Sequence, residues 1–119
     1  MTTNVQIYEA LKELGMPLSM TGYPYIARAV QMCLEEPEYT SRMTPVYSLL
    51  AKDYGVSVNT IVRNIAYCIQ TTLKNSAKLE EYFGIRNSYA DIKPNEFLAG
   101  VCEHIRMRQE DSEDEFQGK

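Results

Sequence analysis

The sequence has no tryptophan, a single histidine, and three cysteines with no C-x-x-C pair among them. A structural zinc needs clustered thiolate and imidazole ligands, and these are missing. Cys102-Glu103-His104 brings a thiol and an imidazole together in sequence. On a helix, however, residues two apart point in different directions, and no Asp or Asn partner is identifiable. His104 is therefore expected at the surface or at the boundary of the core. There is no phosphate-binding glycine loop and no paired nucleophile and base, so an enzyme is not expected, nor a cofactor or metal. No apolar run approaches the roughly 20 residues that span a bilayer. The start, Met1-Thr2-Thr3-Asn4, lacks the basic-then-apolar order of a signal peptide. Six glycines and five prolines are too few for a flexible linker protein. No internal repeat and no alternating strand pattern is visible. Cys33, Cys68 and Cys102 each fall inside an apolar helical pattern, which reads as reduced, buried thiols in a cytoplasmic protein without membrane contact.

What remains is enough for one ordinary core: 119 residues, 45% hydrophobic and 24% charged. The net charge of -4 is unevenly placed. Glu110, Asp111, Glu113, Asp114 and Glu115 form an acidic end, and the 109 residues before it hold 11 acids and 11 bases. Two parts follow: a domain over 4–109 and an acidic tail, 110–119, expected to be disordered. The tail reads as a solubilising end, with shielding of a basic patch or docking to a partner as the sharper alternatives. Between Lys52 and Lys78 the balance turns mildly basic, with Lys52, Arg63, Lys74 and Lys78 against Asp53.

The periodicity predicts an all-α, compact bundle of about six helices. The first spans about Asn4 to Leu14, with Ile7, Leu11 and Leu14 on one face, and Gly15 with Pro17 stops it. The second, about Gly22 to Glu35, is apolar nearly all round and so belongs in the centre; Pro37 ends it. Thr44-Pro45 reads as a cap and first-turn proline. The third helix then runs to Tyr54, with Val46, Leu49 and Leu50 inward. Ser57 can cap the fourth, where Val58, Ile61, Val62, Ile65, Ile69 and Leu73 repeat at spacings of three and four. A short helix over about 77–83 closes at Gly84. The last opens at Pro94-Asn95, with Phe97, Leu98, Val101, Cys102 and Ile105 on one side. Of the nine tyrosines, Tyr23, Tyr25, Tyr47 and Tyr54 read as edge-of-core rings with hydroxyls near water. A stacking platform for single strands would need a basic groove, which is not evident.

Leu50 to Ile61 has the order of a helix-turn-helix. Ala51 is small enough for two helices to cross closely, Gly55 can take a positive φ, and Val56, Val58 and Ile61 supply apolar contacts. At 100° per residue, Thr60, Arg63, Tyr67 and Lys74 share a stripe opposite the apolar face, flanked by Asn59, Asn64, Gln70 and Thr71. A recognition helix lays its N-terminal part in the major groove. Arg63 suits guanine, and Asn59 or Asn64 suits adenine. Thr60, Tyr67 and Lys52 suit phosphates, Ser57 at the start of the helix is counted with the DNA-binding residues, and Lys74 and Lys78 add charge. A merely solvated polar face and a plain core hairpin stay open as alternatives on these residues alone.

The chain also resembles a known family, the C-terminal DNA-binding domain of the master sporulation response regulator of endospore-forming Firmicutes. The likeness runs from about Leu11 to Arg108. It rests on Leu14-Gly15 with Pro17, Gly22-Tyr23 with Tyr25, Ala29-Val30, Glu36-Pro37, Thr44 with Tyr47, and Ala51-Lys52-Asp53-Tyr54. Ile61, Arg63, Ile65, Ile69, Phe83-Gly84, Lys93-Pro94 and Asn95-Glu96-Phe97 continue it. The resemblance implies an all-helical domain with a mid-chain helix-turn-helix and binding to duplex DNA at promoter motifs. It further implies a pair of copies on tandem sites, contact with RNA polymerase, and transcriptional activation or repression. Two departures stand out. Too few residues precede Leu11 for the phosphoreceiver domain that family members carry there. The base-reading stretch, charged in the family, has Thr60, Val62, Ala66 and Tyr67 here, and only Arg63 keeps a basic side chain. The expected function is therefore a sequence-specific, duplex-DNA-binding transcription regulator. The alternative is a diverged protein-interaction module that has lost DNA reading and modulates a related regulator.

Overall fold

The computed structural model describes residues 3–117, with side chains described as far as Glu110. Among the described residues every regular element is a helix: α1 (Thr3–Glu13), α2 (Gly22–Glu35), a 3-10 turn (Pro37–Thr40), α3 (Met43–Tyr54), α4 (Val58–Asn75), α5 (Leu79–Phe83) and α6 (Pro94–Gln117). The all-α bundle of about six helices is thus what the chain forms.

Helix α2 sits in the middle, packed by α1, α3, α4 and α6. Its composition requires this position, because Tyr25, Ile26, Ala29, Val30, Met32 and Cys33 leave little of its circumference polar, and all are buried. Its first residue, Gly22, lies against α4. A Cβ there would collide with the backbone oxygen of Asn64 and come within 2.9 Å of the Cys68 Cβ. Glycine therefore sets how closely these two helices approach. The apolar repeat of α4 buries Ile61, Ile65, Cys68, Ile69 and Leu73 against the bundle, while α6 contributes Phe97, Leu98, Val101, Cys102 and Ile105. The three cysteines are free and fully buried, as their apolar context implied.

A polar clasp ties α6 to α1 and α5. Arg108 donates to both carboxylate oxygens of Glu13, at 3.0 and 2.8 Å, and the Tyr82 hydroxyl donates to Glu13 at 2.8 Å. His104 stacks on Tyr82 with ring centroids 3.9 Å apart. Its Nε2 is 3.7 Å from Glu13 Oε1 and has no hydrogen-bond partner among the described residues. His104 thus sits at the boundary of the core, with a side chain 17% exposed.

Several details differ from expectation. Helix α3 starts at Met43, so Thr44 and Pro45 lie in its first turn, where the missing proline N–H costs nothing. Leu49 is 41% exposed rather than inward, because Val46 and Leu50 already fill the face toward α2 and α4. Val58, expected to brace the fourth helix, is 43% exposed: it occupies the first position of α4, beyond the reach of the core. Helix α6 runs through the acidic stretch to Gln117 instead of giving way at 110. Extending a formed helix adds a hydrogen bond for each residue fixed, without a second nucleation cost. Residues 118 and 119 of the expected tail lie outside the described residues.

Candidate nucleic-acid interface

The site is built from the end of α3, the turn Gly55-Val56-Ser57 and the first turns of α4. Gly55 takes φ +66°, the left-handed conformation that glycine adopts without strain. This lets the Gly55 and Val56 N–H groups both turn back to Ala51 O, the latter at 3.1 Å, closing α3. Ser57 is extended, and its Oγ accepts from the Thr60 N–H at 3.1 Å, opening α4. Leu50, Ala51 and Ile61 are buried between the two helices, which fixes their crossing.

Polar side chains in this region divide by what they are bonded to. Ser57 Oγ is also 2.9 Å from Thr60 Oγ1, so both hydroxyls are engaged with each other. Asn64 Nδ2 donates to Thr60 O at 2.8 Å, and Asn64 is half-buried beside Gly22. Asn59, by contrast, is exposed and has no side-chain hydrogen bond among the described residues. Arg63 is likewise exposed and unpaired among them. Of the two asparagines suited to adenine, only Asn59 has its amide free. Tyr67, one turn beyond Arg63, is 68% exposed. Lys52 is exposed in the last turn of α3; its neighbour Asp53 faces Arg28 at 4.0 Å.

The structure gathers Lys52, Ser57, Asn59, Thr60 and Arg63 at the turn and the first two turns of α4. It does not bring Lys74 and Lys78 to them. At 1.5 Å per residue, Lys74 lies about 22 Å along the axis from Asn59, more than the roughly 12 Å width of a major groove. Lys78 stands beyond the helix end and pairs with Glu81 at 3.4 Å. Gln70, on the same helix, donates to Ala90 O at 3.3 Å, so the loop before α6 lies along that half of α4.

These features match a known domain. A family model described as Sporulation initiation factor Spo0A C terminal matches residues 7–105. The chain belongs to this family. The Spo0A C-terminal domain is the DNA-binding domain of a sporulation regulator, so DNA-binding transcription regulation is the function class of this fold. The match covers every buried residue of α2, α3 and α4, and it ends at Ile105, before the Arg108 that clasps Glu13. Among the described residues, no group of three or more His, Cys, Asp or Glu could hold a metal ion, and no helix is long and apolar enough to cross a membrane.

Two features escaped the sequence pattern. The spacing of Val58 puts it on the apolar arc of α4, although a first-turn position has no neighbour on its N-terminal side. The Glu13–Tyr82–His104–Arg108 clasp joins residues up to 95 positions apart, a pairing for which a single sequence carries no signal.

Proposed function

We propose that α3 and α4 act as a helix-turn-helix that reads specific duplex sites, and that the protein regulates transcription through them. The observation that carries this reading is the pair of uncommitted side chains, Asn59 and Arg63, one turn apart on a capped helix within a DNA-binding family frame. Arg63 is the guanine reader and Asn59 the adenine reader. Lys52, Ser57, Thr60 and Tyr67 flank them and meet phosphates, with the helix N-terminus adding its own attraction. Asn64 acts by holding the helix. Lys74 and Lys78 lend charge at a distance. Family likeness supports pairs of copies on tandem promoter sites and contact with RNA polymerase.

In vitro selection from a random duplex library, followed by anisotropy titration, tests this. Arg63→Ala should weaken binding to the selected site by about 1–3 kcal/mol, roughly 5- to 150-fold, while binding to random duplex changes much less. Equal affinities of the two proteins for the selected site would remove Arg63 from the role.

A second reading, a protein-interaction module that has lost DNA reading, is favoured by one observation. An open groove of about 410 Å³ between α1, α2 and the end of α3 has the rings of Tyr8, Tyr23 and Tyr54 in its lining, with Asn4, Arg28 and Gln31 also in its wall. A salt series on random duplex separates the readings. Affinity that falls with salt belongs to the first, and no binding at low salt belongs to the second.

A further inference from the structure

Val58 is an exposed valine at a position where a helix gains from something polar. The first turn of a helix is solvated and rewards side chains that accept from free N–H groups. A β-branched apolar residue offers no such bond and is a weak helix former. Val58 is 43% exposed and stands outside the core cluster, although Ile61, three residues on in the same helix, is fully buried. It is also not alone. Val62 and Ala66, both half-buried, follow at i+4 and i+8, so an apolar strip runs from the tip of α4 along one flank. Asn59 and Arg63 each directly follow a residue of that strip. The hydrogen-bonding readers and the strip therefore form adjoining bands on the same two turns.

We propose that Val58 is a specificity-determining residue that packs on the C5-methyl group of a pyrimidine in the major groove, with Val62 extending the contact. This rests on the DNA-reading proposal above and adds what the site selects. The C5-methyl is the one apolar feature on the major-groove edge of the bases, and small apolar side chains recognise it. Thymine carries this group, and so does 5-methylcytosine; the shared methyl is the ligand. Uracil and cytosine lack it. With Arg63 on guanine and Asn59 on adenine, the strip supplies the third kind of contact, a methyl-bearing pyrimidine beside them.

The test uses the full chain and a duplex chosen by selection. Each thymine of the site is replaced in turn by deoxyuridine, which deletes the methyl and keeps the pairing. At one position wild-type affinity should fall about fourfold, the worth of one buried methyl. Cytosine at that position, with guanine opposite, should bind better when 5-methylated than when plain. The Val58→Ser protein should bind thymine and uracil there nearly equally, and Tyr67→Ala should keep the wild-type ratio. Thermal melting checks that both variants fold, which the exposure of both side chains leads one to expect. If the duplex binds and no position is sensitive to the methyl, or if Val58→Ser keeps the sensitivity, the role of Val58 is overturned and DNA reading stands. If no duplex is bound at all, both fall.

Discussion

Replacing Gly22 with alanine sets two effects of opposite sign against each other. On intrinsic propensity alone, Gly→Ala in a helix stabilises by up to about 1 kcal/mol, and less at the first position, where Gly22 sits. Packing argues the other way. The new Cβ would overlap Asn64 O, a backbone atom, and lie 2.9 Å from the Cys68 Cβ. Neither obstacle is the free end of a flexible side chain, so α2 and α4 must separate. Overpacking of this kind costs about 1–3 kcal/mol. The net expectation is a loss of about 1–2 kcal/mol, or roughly 4–8 °C in Tm for a domain of this size. Gly55→Ala is the control. It meets open space but carries φ +66°, so its cost of about 1–2 kcal/mol comes from backbone strain alone. Because α4 carries the proposed readers, Gly22→Ala should also weaken binding to a selected duplex at temperatures where the variant remains folded. Circular-dichroism melts and urea midpoints measure stability, and anisotropy measures binding. A Gly22→Ala protein that melts at or above the wild-type temperature would refute the argument that close approach, and not propensity, governs this position.

Two further outcomes concern the core and the clasp. Leu50→Ala should cost about 2–5 kcal/mol, since Leu50 is fully buried, whereas Leu49→Ala, three-fifths buried at the surface, should cost under about 1 kcal/mol; urea titration compares them, and equal losses would contradict the assigned facing of α3. Acid should loosen the clasp in two stages. Burial pushes the His104 imidazole below its ordinary 6.5, helped by Arg108 and opposed by Glu13 and Glu81. The folded protein therefore takes up this proton less readily than the unfolded chain, and stability falls as pH drops below about 6.5. The Glu13 carboxyl is pushed up by burial, but hydrogen bonds from Arg108 and Tyr82 outweigh this and hold it below its ordinary 4.5. Its contribution is complete above about 4.5 and is lost as pH falls through the lower, folded value. Melting temperature followed from neutral to acid pH should show both stages, and His104→Gln should abolish the upper one only.

The helices were legible because their signals are local. The three-and-four spacing of Ile61, Ile65, Ile69 and Leu73, the nearly apolar circumference of α2 and the glycine stop at Gly55 each act within one or two turns. The turn was equally plain, since Gly55 and Ser57 are the residue types that close one helix and open the next. What was not legible depends on neighbours distant in sequence. Asn59 and Asn64 are the same residue type five positions apart, and only the approach of Gly22 separates the half-buried one from the free one. Leu49 and Leu50 are adjacent leucines, and only the placement of α2 and α4 decides which one is inside. The acidic composition of residues 110–117 pointed to disorder, but composition carries no information about the helix that α6 had already formed in front of them.

The division among the polar side chains of α4 bears on how such a helix would bind. Ser57, Thr60 and Asn64 are bonded to one another or to the α4 backbone. That fixes the start of α4, which a recognition helix requires, but it draws the Asn64 amide away from base reading and engages the Ser57 and Thr60 hydroxyls with each other. The cations that α3 and the first turns of α4 bring to the turn are Lys52 and Arg63, while Arg28 of α2 faces Asp53 at 4.0 Å. Affinity that depends on neutralised phosphates grows with their number, and here that number is small. On the DNA-reading proposal, discrimination must then come mainly from short-range contacts by Asn59, Val58 and Arg63. Short-range contacts are lost base by base when the sequence is wrong, whereas attraction to phosphates is the same on every sequence. A helix with few charges and a rigid start gives up general affinity for DNA while keeping the ratio between right and wrong sites. On that proposal, Lys52 and Arg63 beside a reading edge that is otherwise apolar or neutral are what such a trade requires.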